Sequence, residues 1–361
     1  MHIGVDGREL GPGSTGVGRY LQRLLQEWGL SPEARTHRFT VYSPDGRIAL
    51  PPDLNGEVSI ATGGGGTAWE QGALAHGVRR DRPDVFFAPG YSAPLLTGVP
   101  FVVVMHDVSF AAHPEWFGLR EGMRRRALAR LAGRRAGAVL TLADFSRDEI
   151  VRHLGVPRDR IQVIPLGIGL EPSGAPTAVR EPLVLYVGSI FDRRHVPELI
   201  EGFAGLTGKQ PAARLTLVGA NRTLSHADLP RLARQAGVAD RVTHHDWLPD
   251  ADLAALYARA SVFGFLSEYE GFGLTPLEAL AAGVPPLVLD TPVSREVYGE
   301  AAWRIDRPDP DLVTDALSAL LDPVNARRRA ILEAAPGVVA RYSWRVTAER
   351  TLAALAQVAR R

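Results

Sequence analysis

The chain has 361 residues, 45% of them hydrophobic and 22% charged, and a formal net charge of +1. These values describe an ordinary globular chain of about two domains, at roughly 150 residues each, and they exclude a global charge attraction to nucleic acid. Cysteine is absent, which excludes disulfides, thiolate metal sites and a cysteine nucleophile, and fits a reducing compartment.

The start, MHIGVDGREL, runs straight into a short apolar segment with no basic n-region and long h-region, so no signal peptide is expected. From there short apolar runs alternate with helical patterns. HIGVD, RFTVYS, DVFFA, PFVVVMHD and AVLTL predict buried strands, and GVGRYLQRLLQEW and EGMRRRALARLAGRR predict helices between them. The longest apolar runs, such as FVVVM (Phe101 to Met105), fall far below the ~20 residues of a membrane span, and a cytoplasmic protein is expected. The pattern pauses at LEPSGAPTAVREPL, Leu170 to Leu183, where Pro, Gly, Ser and Thr crowd and no period survives. A second set of strands follows, LVLYVGS, RLTLVGA, RVTHHDW, SVFGFLS and PPLVLD, with helical stretches such as ELIEGFAGL and DLAALYARA between them. The chain ends in a helical pattern, SWRVTAERTLAALAQVARR. Near-continuous apolar strands separated by helices indicate parallel, doubly wound α/β sheets. The expected division is residues 1–170, a linker over 171–182, a second domain over 183–340 and a terminal helix over 341–361, with a ligand cleft between the two domains.

Four stretches carry candidate chemistry. GPGSTGVGRY, Gly11 to Tyr20, fits G-x-G-x-x-G as text, but GREL separates it from the first strand and no acidic residue closes the second strand. It therefore answers poorly to a dinucleotide fingerprint. Either it is a flexible turn, or Gly16 and Gly18 let backbone amides approach a phosphate ahead of a helix. His106 and Asp107 follow a buried strand, and such a pair serves either structure or a site. LREGMRRRALARLAGRR, Leu119 to Arg135, holds seven arginines against one glutamate, with Leu119, Met123, Ala127 and Leu131 recurring every four residues. That is a basic amphipathic helix, either packed with a solvated face or drawn to an anionic membrane or a lipid-diphosphate acceptor. His244 and His245 are adjacent in a predicted strand and face opposite sides, which does not suit a shared metal.

The fourth stretch is SEYEGFGLTPLEALAAGVPPLVLD, Ser267 to Asp290. Thr275, Pro276 and Glu278 predict a helix start with Thr275 as N-cap and a T-x-x-E capping box, worth ~1 kcal/mol, and Gly283 supplies the stop. Glu278 then either caps the helix or holds a diol such as a ribose. Gly271, Phe272, Gly273 and Leu274 offer backbone amides at a helix N-terminus, which suits a diphosphate. Glu270 and Glu278 flank this loop and suit the two ends of a nucleotide sugar.

At these residues the chain resembles the family-4 retaining glycosyltransferases of the GT-B fold, whose signature is Glu, seven residues, Glu, with Phe-Gly between. The words YEGFGLTPLEALAAGVPPLV, SREVYGEAA, LYVGSIFDRRHVPELIEGF, RVTHHDWLPDADLAALYARASVF, VVVMHDVSF, TGVGRY, TLADFSRDEI and IQVIPLGIG also fit, so the match spans nearly the whole chain. The resemblance implies two Rossmann-like domains facing across a cleft, acceptor on the first and nucleotide on the second, with the last helix crossing back to the first. It assigns Arg193 and Arg194 to the leaving diphosphate, where the family usually has Arg-Lys. Because Lys209 is the only lysine in the chain, the change at Arg194 keeps the charge, though the geometry differs. It assigns Glu270 to the sugar hydroxyls and an oxocarbenium-like state rather than to nucleophilic attack, and leaves Glu268 solvated. His106 contacts the donor sugar, Asp107 places it or touches the acceptor, and the backbone near Asp246 and Trp247 reads the base. The chemistry it implies needs no metal and no cofactor and takes only a nucleotide sugar and a glycan or lipid-linked acceptor, with peripheral association at an anionic membrane and no nucleic acid. HDVSFAAHPEWF and TGVGRY look like bacterial mannosyltransferase members, which favours GDP-mannose and leaves UDP-glucose open. The alternatives from other classes are a GT-B epimerase or phosphorylase and a non-catalytic nucleotide-sugar-binding protein.

Overall fold

A computed structural model describes residues 1–11, 16–169, 180–223 and 227–360. Part of the first glycine loop, Thr15 included, and most of the expected linker lie outside the described residues. The chain divides into two compact units, Met1–Gly167 with Tyr342–Arg361, and Ile168–Arg341.

Among the described residues the first unit is built on a parallel sheet of β1 (His2–Asp6), β2 (Arg38–Ser43), β3 (Gly56–Ile60), β4 (Val85–Ala88), β5 (Phe101–Val104), β6 (Ala138–Thr141) and β7 (Ile161–Val163). Its helices are α1 (Gly16–Leu30), α2 (Thr67–Trp69), α3 (Ala75–Asp81), α4 (Ser109–Ala112), α5 (Leu119–Arg135) and α6 (Asp144–Leu154). A π-wound turn, Glu70–Leu74, joins α2 to α3. The strands are apolar on both sides because both faces are covered. On one face Phe39 and Phe87 meet the indole of Trp28 from α1, at ring separations of 5.3 and 6.0 Å. On the other, Tyr42 and Phe86 join a core with Leu74, Val78, Ala129, Ala132 and Ile150. The strand order is β3-β2-β1-β4-β5-β6-β7, so the winding reverses between β1 and β4.

The second unit repeats this plan with β8 (Leu183–Val187), β9 (Arg214–Val218), β10 (Val242–His245), β11 (Val262–Phe265), β12 (Pro286–Leu289) and β13 (Trp303–Ile305), in the order β10-β9-β8-β11-β12-β13. The helices are α7 (Val196–Thr207), α8 (Leu229–Gln235), α9 (Asp250–Arg259), α10 (Leu274–Ala281), α11 (Pro292–Tyr298), α12 (Pro310–Leu321) and α13 (Ala326–Val339). The reversal falls between β8 and β11, and Tyr186, Phe265 and Phe263 stack across these two strands at 5.8 and 6.2 Å. Ligands of open α/β sheets bind outside the carboxyl ends of the strands at such a reversal.

The last helix, α14 (Trp344–Ala359), belongs to the first unit. It carries Ala348, whose carbonyl accepts from Trp28 Nε1 at 3.0 Å, and Thr347, whose hydroxyl donates to Pro165 O at 2.7 Å.

Two helix expectations are corrected. The face of α5 that meets the core is Gly122, Ala129, Ala132 and Gly133, small residues that let the helix lie close to the sheet. The larger recurring residues point outward, with Leu119 75%, Met123 50% and Leu131 43% exposed. The helix α10 begins at Leu274 with Gly273 as N-cap and no side-chain cap, so the Thr275 capping box does not form.

Candidate functional site

The loops that leave β8 and β11 both emerge at the reversal point of the second sheet. The β8 loop opens with Gly188, whose φ of +144° matches that of Gly219 after β9. A Cβ on Gly219 would overlap the carbonyl of Gly188, so only glycine allows the two strand ends to approach this closely. The loop then makes a 3₁₀ turn over Asp192–Arg194 and enters α7.

Arg194 is held from several sides. Its Nε donates to Glu270 Oε1 at 2.8 Å, its Nη2 lies 2.7 Å from the same oxygen, and its Nη1 donates to Ser189 O at 2.7 Å. The guanidinium also lies 5.0 Å over the Phe265 ring. The pair is nearly closed to solvent, with side chains 13% and 18% exposed. Burial opposes the charge on Arg194, but Glu270 more than offsets it and raises the guanidinium pKa above its ordinary value. Ser267 Oγ donates to Glu270 Oε1 as well, at 2.8 Å, and Glu270 Oε2 meets no partner among the described residues. Arg193 stacks 4.2 Å over Phe191.

Glu268 is not merely solvated. Its amide donates to Arg193 O at 3.0 Å, and its carboxylate lies 3.5 Å from His195 Nε2 while Glu198 lies 3.3 Å from His195 Nδ1. Burial lowers the His195 pKa, yet the two carboxylates prevail and raise it. The imidazole therefore ties the basic loop to the β11 loop and to α7.

Within the β11 loop, Gly271, Phe272 and Gly273 are buried and Leu274 and Thr275 partly so. Gly273 has φ +84°, its carbonyl accepts from Tyr298 Oη at 2.8 Å, and a Cβ there would overlap that hydroxyl. Because no side chain caps α10, its first amides remain for a ligand at the positive end of the helix. Glu278, five positions into the helix run from Leu274, accepts from Tyr257 Oη at 3.4 Å rather than serving Thr275. Trp247, after β10, is exposed, and His244 Nε2 lies 2.9 Å from Gly219 O, so this ring is committed to the backbone.

The remaining residues lie in the first unit. His106 follows β5, with Nε2 2.7 Å from Pro89 O and its ring packed on Tyr20 and Tyr91 at 5.1 and 5.8 Å. Burial lowers its pKa against the pull of that carbonyl and of Asp107, so the ring is neutral near pH 7. A carbonyl only accepts, which puts the proton on Nε2 and leaves Nδ1 as an acceptor. Asp107 does not hold His106: its Oδ1 accepts from Ser109 N and Oγ at 2.8 and 2.7 Å, and its Oδ2 from Tyr91 Oη at 3.2 Å. Gly16 opens α1 exposed and Gly18 is buried in its first turn.

The structure thus brings Arg193, Arg194, Glu270 and Gly271–Leu274 together at one sheet reversal, and His106 and Asp107 onto consecutive positions after β5. Sequence reasoning missed Tyr91, a non-glycine residue at φ +54°, and the buried Glu70. It also missed the run Gly63 to Gly66, although four consecutive glycines before Thr67 were a visible signal. No helix of the described residues is long and apolar enough to cross a membrane.

Comparison with known proteins agrees with this geometry. The profile described as Glycosyltransferase Family 4 matches residues 14–172, and that described as Glycosyl transferases group 1 matches residues 173–335. O-antigen chain mannosyltransferase B of Escherichia coli is 27% identical over 59% of this chain and 59% of its own length. The GDP-mannose:cellobiosyl-diphosphopolyprenol alpha-mannosyltransferase of Xanthomonas campestris is 28% identical over 69% of this chain and 66% of its own. A D-inositol 3-phosphate glycosyltransferase of Paenarthrobacter aurescens is 30% identical over 71% of this chain and 67% of its own. Among solved structures, WaaG, a glycosyltransferase involved in lipopolysaccharide biosynthesis, aligns with a TM-score of 0.76 over 98% of this chain and 99% of that one, at 20% identity. HepE of Anabaena, solved with UDP and glucose, aligns at 0.74 over 98% of both chains, at 17% identity. Two parallel Rossmann-like units, two profiles that run without a gap from residue 14 to 335 and a relative matched over most of its length lead to one conclusion: the chain belongs to the family-4 glycosyltransferases of the GT-B fold.

Proposed function

We propose that the protein moves a sugar, mannose from GDP-mannose being favoured, onto a glycan or lipid-linked acceptor with retention of anomeric configuration. The observation that carries this reading is the uncapped start of α10 in the same loop as Glu270, whose partner is Arg194. The donor diphosphate rests on the amides of Gly271 to Thr275, as anions do at helix starts. Glu278 takes the ribose, and the backbone beside Trp247 takes the base. As the bond between the anomeric carbon and phosphate breaks, charge grows on the departing diphosphate. Arg193 and Arg194 stabilise it, and fixed cations act most where charge develops. Glu270 uses Oε2 for a sugar hydroxyl, and His106 accepts another through Nδ1. The acceptor oxygen attacks on the face the diphosphate leaves, and its proton passes to a phosphate oxygen. The positive charge comes from guanidiniums and main-chain amides, so the reading calls on no metal and no cofactor.

The donor preference rests on two relatives named as mannosyltransferases, one of them for GDP-mannose and a diphosphopolyprenol. A lipid-linked acceptor would bring the protein to a membrane, and the outward Leu119, Met123 and Leu131 among the arginines of α5 suit an anionic bilayer surface. A thermal-shift screen of sugar nucleotides tests the donor. A ligand at a hundred times its Kd adds ~2.7 kcal/mol to the state that binds it. GDP-mannose should give the largest rise in Tm. A rise with UDP-glucose alone would change the donor, and no rise with any sugar nucleotide would remove the reading.

A further inference from the structure

Three consecutive residues of the basic turn grip the β11 loop, each by a different group. The Arg193 carbonyl accepts from Glu268 N at 3.0 Å, the Arg194 guanidinium pairs with Glu270, and the His195 ring reaches the Glu268 carboxylate. His195 sits in the left-handed region, at φ +49° and ψ +41°, as N-cap of α7 with no side-chain cap. A residue with a Cβ adopts that conformation at a cost, so contacts beyond the backbone must favour it.

The ring makes those contacts. Glu198 Oε1, from the first turn of α7, lies 3.3 Å from Nδ1, and Glu268 Oε2 lies 3.5 Å from Nε2, with the ring 19% exposed. Ionised carboxylates only accept, and a neutral imidazole carries a single N–H. Both contacts are therefore favourable only when the ring holds two protons. In either neutral tautomer one ring lone pair faces a carboxylate oxygen. Of the other charged groups in the two loops, Arg193 stacks over Phe191, Arg194 and Glu270 hold each other, and Asp192 accepts the His195 amide through its main-chain carbonyl at 3.2 Å. Burial also raises the Glu198 pKa, yet the His195 ring and a main-chain amide prevail and lower it, the counterpart of the raised value at His195. Among the three grips, the main-chain bond and the arginine pair do not titrate near neutral pH, whereas the imidazole does.

We propose that His195 is a positioning residue for donor binding: its doubly protonated ring holds the turn of Arg193 and Arg194 against the loop of Glu270, and loss of one proton loosens the diphosphate site. The inference rests on the glycosyltransferase reading and adds a residue to its donor site. The folded ring keeps its proton above the ordinary value of about 6.5. The clamp is therefore complete below that pH and is lost as pH rises through the raised value.

The ring is tested first, without ligand, by NMR titration of the histidine Cε1–Hε1 signals of the full-length protein, with His195 assigned by its loss in H195N. Asparagine tolerates the left-handed backbone and carries no charge. The midpoint should lie above the ordinary value in wild type and fall in E268Q. A midpoint at or below the ordinary value, or one that E268Q does not move, overturns the proposal whether or not a nucleotide binds. Calorimetric titration then uses GDP-mannose, or UDP-glucose where the thermal-shift screen selects it, at pH values on both sides of that midpoint. The wild-type Kd should rise about fivefold or more toward high pH, a typical coupling between sites, and bound donor should raise the ring's midpoint in return. Both effects should vanish in H195N and shrink in E268Q. An equal pH profile in wild type and H195N overturns the proposal, and so does full coupling in E268Q, which would mean direct attraction between ring and diphosphate. Donor binding that is absent at every pH falls on the glycosyltransferase reading, and the positioning role falls with it.

Discussion

Glu270 joins two duties in one side chain. Oε1 gathers Arg194 and Ser267, and Oε2 is left for a ligand. Removing the carboxylate by E270A would strand a guanidinium that is 13% exposed, and breaking a buried pair costs ~3–5 kcal/mol. E270Q keeps the shape and an acceptor, and is the cleaner probe of chemistry. We expect E270Q and H106A each to lower kcat about a hundredfold or more, the usual loss for one polar contact to a transition state, with far-ultraviolet circular dichroism unchanged. Near-normal turnover in both would withdraw these roles. His106 depends on Pro89 and two tyrosines for its orientation, which no pairing of adjacent letters could reveal.

At the scale of elements, α5 and α10 differ from their sequence patterns for physical reasons. In α10 the chain bends at Gly273 with positive φ, so the helix starts one residue before Thr275 and that hydroxyl cannot cap it. In α5 the periodic Leu and Met residues lost the core face to glycines and alanines, because close approach to the sheet favours small side chains. Large apolar groups set among arginines on an exposed helix are a membrane-surface pattern. Flotation with vesicles containing anionic phospholipid should carry the wild type upward, phosphatidylcholine vesicles should not, and L119S/M123S/L131S should float less. Equal, negligible flotation in both lipids would leave α5 as a solvated helix.

At the scale of the whole molecule, the last element of the chain completes the first unit. Leu355 on α14 is fully buried, and the same helix fixes Trp28 through Ala348 and the segment just after β7, at Pro165, through Thr347. L355A should therefore destabilise by ~2–5 kcal/mol, as truncation of a buried leucine does, read from denaturant unfolding. A change below ~0.5 kcal/mol, the range of surface substitutions, would mean that α14 contributes no core.

The strands legible from letters were the apolar central ones, β1, β2, β4, β5 and β6 in the first unit and β8 to β12 in the second. Missed were β3, an exposed edge, and the three-residue β7 and β13. Such strands follow from pairing with a neighbour, since they have too few apolar residues to announce themselves. By itself the sequence determined the parallel α/β class, the two halves and the Glu270–Glu278 motif, because these depend on local periodicity and fixed spacing. Only the tertiary structure decided that Arg194 pairs with Glu270, that Tyr91 rather than His106 holds Asp107, and that Arg8 and Glu70 lock a glycine loop beside β1 and β4. Those contacts join residues 16 to 76 positions apart, and the order of strands in a sheet, which is not written in any one segment, sets which of them meet.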